Sequence, residues 1–232
     1  MLFEQGEPLR TRPTRAEESL RQQPRPAHLP PRGASWTRSF AWWVLQRNGW
    51  DIRGLYPDAS KFIIIAAPHS SRYDWYWGMF VQWALGVRFS FMIKHVFFVP
   101  PLSWLMRWLG GFPVNRHKAS GAVHKATVLF AQAEKCVLLI TPEGRTKPVR
   151  QLKRGFYEIA KAAEVPVLVV SFRYDERVIA LDGYADLSGG FEEVTQRLHA
   201  HYSQMTGRHR GYLDDVSKWA CRPFPSDVEV DP

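Results

Sequence analysis

Residues 63–74 read Ile63-Ile64-Ile65-Ala66-Ala67-Pro68-His69-Ser70-Ser71-Arg72-Tyr73-Asp74. The run up to Ala67 is short, apolar and rich in β-branched residues, which suits a strand buried on both faces. Pro68 ends it, because proline brings no N–H to a ladder. His69 then enters a turn at the carboxyl end of a strand, and Asp74 follows five positions later, where an aromatic-rich helical stretch begins. In open α/β sheets, ligands gather at that end of the strands. A His and an Asp that meet there form a base and its orienter. The carboxylate accepts one ring N–H, fixes the tautomer and leaves the other nitrogen free to take a proton. The same two residues also fit a plainer reading, with Asp74 as an acid at a helix start and His69 as a turn residue.

Outward from this stretch the chain alternates between strand and helix. Towards the C-terminus, 75–85 reads as a helix and 89–93 as a strand, with Lys94 and His95 at its end. Pro101 sits in the first turn of a helix that runs to Leu109 and is stopped by Gly110-Gly111. Phe112-Pro113-Val114 is a short extended piece ending in Asn115-Arg116. A helix over 119–134 turns Val123, Ala126, Phe130 and Ala133 inward. A buried strand over 137–141 runs into the polar loop Pro142-Glu143-Gly144-Arg145-Thr146. A helix over 155–163 and a strand over 165–172 follow, with Pro166 at the strand start, where proline is tolerated. After Asp175 the signal weakens until an outer helix over 190–205.

Towards the N-terminus, 50–55 is a candidate edge strand. Residues 35–49 form an amphipathic helical segment with Trp36, Phe40, Trp43 and Val44 on one face, suited to a membrane interface or to capping the core. Residues 1–34 are rich in Pro and Arg and poor in large apolar side chains, so they read as a disordered arm. The alternation argues an α/β fold: a single domain over 50–210 with a largely parallel central sheet flanked by helices, and a C-terminal tail over 211–232.

The chain has 232 residues, and 45% of them are hydrophobic, enough for a sizeable core. Its apolar runs fall far short of the roughly 20 residues that span a bilayer, and no signal-peptide core opens the sequence. Cys136 and Cys221 make no disulfide framework; Cys136 reads as a small core hydrophobe. A net charge of +9 with ten Trp fits an anionic membrane surface better than nucleic acid, for which no binding signature is present. These features place the protein on the cytoplasmic face of a membrane, peripherally bound.

Three loops carry the chemistry: one with His69 and Asp74, one with Arg116, one with Glu143 and Arg145. If the sheet aligns its strand ends, they converge. A base, an orienting acid and several cations suit deprotonation of a hydroxyl beside a phosphate, with Lys94 adding a point charge. Ser70 and Ser71 have no G-x-S-x-G surroundings and read as turn or cap residues. His199, His201 and His209 lack the carboxylate of an H-E-x-x-H site and make a weak case for a metal hydrolase.

The motif Pro68-His69-Ser70-Ser71-Arg72-Tyr73-Asp74 resembles the first motif of the glycerophospholipid acyltransferase family, the lysophosphatidic acid acyltransferase-like proteins. Gly110-Gly111-Phe112-Pro113-Val114-Asn115-Arg116 resembles the second, Pro142-Glu143-Gly144-Arg145-Thr146 the third, and Val165-Pro166-Val167-Leu168-Val169-Val170 the fourth. Lys153-Arg154-Gly155 is similar to the basic step after the third. The matches run in order from about Trp50 to Phe172. Two departures stand out: Arg145-Thr146 reverses the family's usual Thr-Arg order, and Pro68 replaces the common Asn before the His.

The resemblance implies acyl transfer from acyl-CoA or acyl-carrier protein to a lysophospholipid hydroxyl, most naturally 1-acylglycerol 3-phosphate, in phospholipid biosynthesis. His69 is then the general base and Asp74 its orienter, with no acyl-enzyme. Lys94, Arg116, Glu143, Gly144, Arg145 and Thr146 are the expected acceptor-binding residues. No metal and no cofactor beyond the thioester co-substrate is expected. Glycerol 3-phosphate or a lyso-aminolipid is the alternative acceptor, and a non-catalytic lipid- or anion-binding relative is the alternative to an enzyme.

Overall fold

The computed structural model describes residues 18–69, 71–114, 119–144 and 152–203. The stretch that opened the reading forms β2 (Lys61–Ala67), the middle strand of a seven-stranded sheet. β5 (Cys136–Ile140) and β6 (Val167–Arg173) flank it, both parallel to it. Beyond β5, β3 (Ser90–Lys94) and the edge strand β4 (Gly111–Val114) continue in the same direction. On the other side β7 (Val178–Tyr184) runs antiparallel to β6, and β1 (Asp51–Gly54) closes that edge parallel to β7.

The alternating side chains of β2 feed two cores. Phe62, Ile64 and Ala66 pack beneath α1 (Ser35–Arg47) and α2 (Arg72–Leu85), against Ala41, Leu45 and Val81. Ile63, Ile65 and Ala67 pack on the opposite face against α4 (Ala119–Gln132), α5 (Gly155–Ala163) and α6 (Phe191–Tyr202), meeting Phe130, Phe156 and Leu198. Each buried Ile contributes roughly 1.5–3 kcal/mol, so the strand carrying the site is among the most firmly held parts of the chain. Tyr202 ties α6 to the sheet by donating to the Ile65 and Val170 carbonyls at 3.1 and 3.3 Å. Its hydroxyl pKa lies well above the usual range, through burial first and then the negative charges of Asp182 and Glu143, so it stays a donor.

α3 (Leu102–Leu109) sits over the β3–β4 side, and Gly110 turns the chain from it into β4. Its φ is +104°, and a Cβ there would meet the Phe89 carbonyl oxygen at 2.1 Å, so only glycine fits. Pro113 is accommodated because β4 lies at an edge.

The structure departs from the sequence reading in three places. β7 was not foreseen: it follows the polar turn at Asp175-Glu176-Arg177 and carries Asp182 and Gly183, which dilute its apolar signal. The arm read as disordered over 1–34 is packed against the domain from residue 18 onward. Leu20 and Leu29 are fully buried, Leu20 N–H bonds the Ile52 carbonyl at 2.9 Å, and the Arg88 amide bonds Pro30 at 2.9 Å. Two well-placed leucines and a set of backbone bonds outweigh the composition. The α1 face also splits. Trp36, Phe40 and Trp43 are exposed, whereas Val44 turns inward with Ala41, Trp42 and Leu45. Among the described residues, no helix is long and apolar enough to cross a membrane.

Candidate active site

Five parallel strands bring their carboxyl ends to one edge of the sheet. His69 follows the end of β2, Glu143 and Gly144 follow β5, Lys94 closes β3 in register with Val114 of β4, and Tyr174 follows β6. Strand ends held by a packed sheet are rigid mounts, so the groups on them keep their spacing.

His69 Nδ1 lies 3.1 Å from Asp74 Oδ2. An ionised carboxylate only accepts, so Nδ1 carries the proton and donates it to Asp74. Asp74 is buried and arrives from the first turn of α2, where it also takes the Ser71 N–H at 2.9 Å. The Ser71 hydroxyl in turn accepts from the Tyr73 N–H at 3.2 Å. The two readings of Asp74 therefore hold together: the helix cap is what aims the carboxylate at the imidazole. The Tyr174 hydroxyl donates to Asp74 Oδ1, so both carboxylate oxygens have partners.

Glu143, an expected acceptor ligand, lies against the backbone of His69. It is 2% exposed, and its two oxygens take the His69 backbone N–H at 2.8 and 3.1 Å. The contact pins the end of β2 to the end of β5 and fixes the backbone from which the imidazole projects. Gly144 has φ +67°, and a Cβ on it would collide with the Lys153 side chain at 2.8 Å. The left-handed backbone is what favours glycine here, since the end of the Lys153 side chain is flexible enough to move aside. Arg116, Arg145 and Thr146 lie outside the described residues. Of the three histidines weighed as metal ligands, His201 faces Asp182 at 3.1 Å on α6, and His209 lies outside the described residues. Cys136 is buried in β5, and burial pushes its thiol up to about 11, which makes it an inert core residue.

An apolar cavity of about 1180 Å³ adjoins the His–Asp pair. His69 and Asp74 line it at the carboxyl edge, Ala66, Ile64 and Phe62 along β2, and Leu29 and Tyr56 at the amino edge. From Phe62 to Ala67 the strand advances roughly 16 Å at about 3.3 Å per residue. Lys153 and Arg154 line the cavity near Gly144. A basic group at the mouth and a long apolar interior suit an amphiphile with its reactive end at the imidazole.

Sequence reasoning missed Tyr174. It carries no motif, and its position one residue past β6 is the only signal that could have found it. The arm residue Leu29 was hidden by the composition around it.

Residues 52–173 match the model of a family described as Acyltransferase, over half of the 232-residue chain. Among solved structures the chain is similar to the 1-acyl-sn-glycerophosphate (LPA) acyltransferase PlsC from Thermotoga maritima, at 18% sequence identity and a TM-score of 0.46. The likeness covers 72% of this chain and 74% of that one. No curated protein matches the sequence.

Proposed function

The chain belongs to the acyltransferase family, and on that footing we propose that it moves a fatty acyl group from acyl-CoA or acyl-carrier protein to the free hydroxyl of a lysophospholipid, first of all 1-acylglycerol 3-phosphate. The observation that carries this reading is the 3.1 Å pairing of His69 with Asp74 beside a deep apolar cavity.

In this reaction His69 Nε2 takes the proton of the acceptor hydroxyl as its oxygen attacks the thioester carbonyl. Asp74 holds Nδ1–H and stabilises the imidazolium that forms. The tetrahedral adduct collapses with cleavage of the C–S bond, and the departing thiolate takes the proton from His69. One ester and one thiol result, with no acyl-enzyme and no step that calls for a metal or cofactor. The acyl chain lies in the cavity. Lys94, Lys153, Arg116 and Arg145 serve the acceptor phosphate, with Gly144 and Thr146 as further acceptor-binding residues. Glu143 holds the base, which is how its contact with the His69 amide is best understood.

Exposed aromatics support a membrane-bound acceptor. Trp36, Phe40 and Trp43 on α1 are exposed, as are Trp104 and Trp108 on α3. Ring contacts join Trp43 to Phe40 at 6.0 Å, Phe40 to Phe80 at 6.5 Å, Phe80 to Trp83 at 5.8 Å and Trp83 to Trp108 at 6.2 Å. Arg32 stacks over Trp108 at 4.7 Å. A continuous aromatic belt with attendant cations suits the headgroup layer of an anionic bilayer.

The test is thiol release from a thioester donor with a panel of lysolipid acceptors. Turnover with 1-acylglycerol 3-phosphate is expected to fall at least about 1000-fold in His69→Ala, a loss on the scale of removing a general base. Equal rates in the two proteins would remove His69 from the mechanism. Turnover with another acceptor would keep the chemistry and change the substrate.

A further inference from the structure

We propose that Tyr174 is a positioning residue that completes a three-part relay, Tyr174 to Asp74 to His69. The inference rests on His69 acting as the base and adds a group beyond the matched family span, which ends at residue 173.

Asp74 Oδ2 serves two donors, His69 Nδ1 at 3.1 Å and the Ser71 amide at 2.9 Å. Both come from the loop and helix start that Asp74 itself belongs to. Oδ1 alone remains to fix the rotation of the carboxylate about its last bond, a torsion with broad preferences of its own. The Tyr174 hydroxyl donates to Oδ1 from the turn just past β6, a hundred residues away in sequence. It therefore locks the carboxylate plane against the sheet instead of against the loop.

Tyr174 is held in its turn. Its ring meets Trp50 edge-on at 5.0 Å, and Trp50 packs on Trp77 of α2 at 5.3 Å. A tyrosine so clamped loses little further freedom when it donates. The hydroxyl does not need to touch substrate to matter. It shares the negative charge of Asp74 and keeps Oδ2 in line with Nδ1–H while the imidazole gains and loses a proton.

Tyr174→Phe removes the hydroxyl and keeps the ring on Trp50. The expected result is a fall in kcat of about 10- to 100-fold, the range a hydrogen bond to a charged group supports, with the KM for donor and acceptor within about twofold. Because Tyr174 acts through Asp74, adding Tyr174→Phe to Asp74→Asn should cost less than about twofold more, well short of the product of the single losses. A kcat within twofold of wild type would overturn the proposal. So would full additivity with Asp74→Asn, or a Tyr174→Phe protein that has lost its fold, since either would make the residue structural. An unchanged rate in His69→Ala would instead sink the underlying mechanism and is read separately.

Discussion

Asp74 closes the first turn of α2, and the same carboxylate orients His69. Glu143 performs a comparable service for the backbone of His69. Conventional mutagenesis would score both as catalytic, yet they fail in different ways. Glu143→Gln keeps one acceptor for the His69 amide, loses the charge and must bury an NH₂ group. It is expected to destabilise the fold by about 1–3 kcal/mol and to lower kcat, with the acceptor KM nearly unchanged. Thermal melts and thiol-release kinetics together check this. A normal melting temperature with a raised acceptor KM alone would return Glu143 to the acceptor site, as the resemblance first implied.

At the scale of elements, the parallel heart of the molecule was legible because β2, β5 and β6 are buried on both faces and so read as unbroken apolar runs. The His-x4-Asp pair was legible for the same reason: a strand that ends sharply in Pro68 announces where its next residue will stand. What was not legible depends on long-range contacts. β7 needs an antiparallel partner in β6 to make sense of a half-polar sequence. The arm needs the amino edge of the sheet, where His28 meets the Pro57 carbonyl at 2.8 Å and Arg32 N–H meets Gly86 at 2.9 Å. Its Leu29 is fully buried and lines the cavity. Leu29→Ala is expected to shift donor preference towards acyl chains longer by about two carbons, the depth that the lost side chain opens, while turnover of short donors is kept. Rates over a donor series read this out, and an identical chain-length profile would mean that the acyl chain does not reach the arm.

On the scale of the whole molecule, the aromatic rings run across α1, α2 and α3, so the proposed membrane contact is shared among three helices. Replacing Trp36, Trp43 and Trp104 together by Ser is expected to weaken binding to anionic vesicles about 100-fold or more, at roughly 1 kcal/mol or better for each exposed ring. Activity on soluble short-chain substrates should stay within about twofold. Vesicle sedimentation alongside the soluble assay separates the two effects; unchanged sedimentation would place the membrane contact elsewhere. The strand order has a further consequence for a chain still being made. β1 emerges early yet waits for β7, and β2 emerges with its histidine long before β5 and β6 arrive to flank it. Glu143 arrives just behind β5, and Tyr174 only behind β6. A nascent protein that has cleared the ribosome through β3 already displays the full His-x4-Asp motif without the neighbours that hold it in place, and the catalyst comes into being only when its last third is delivered.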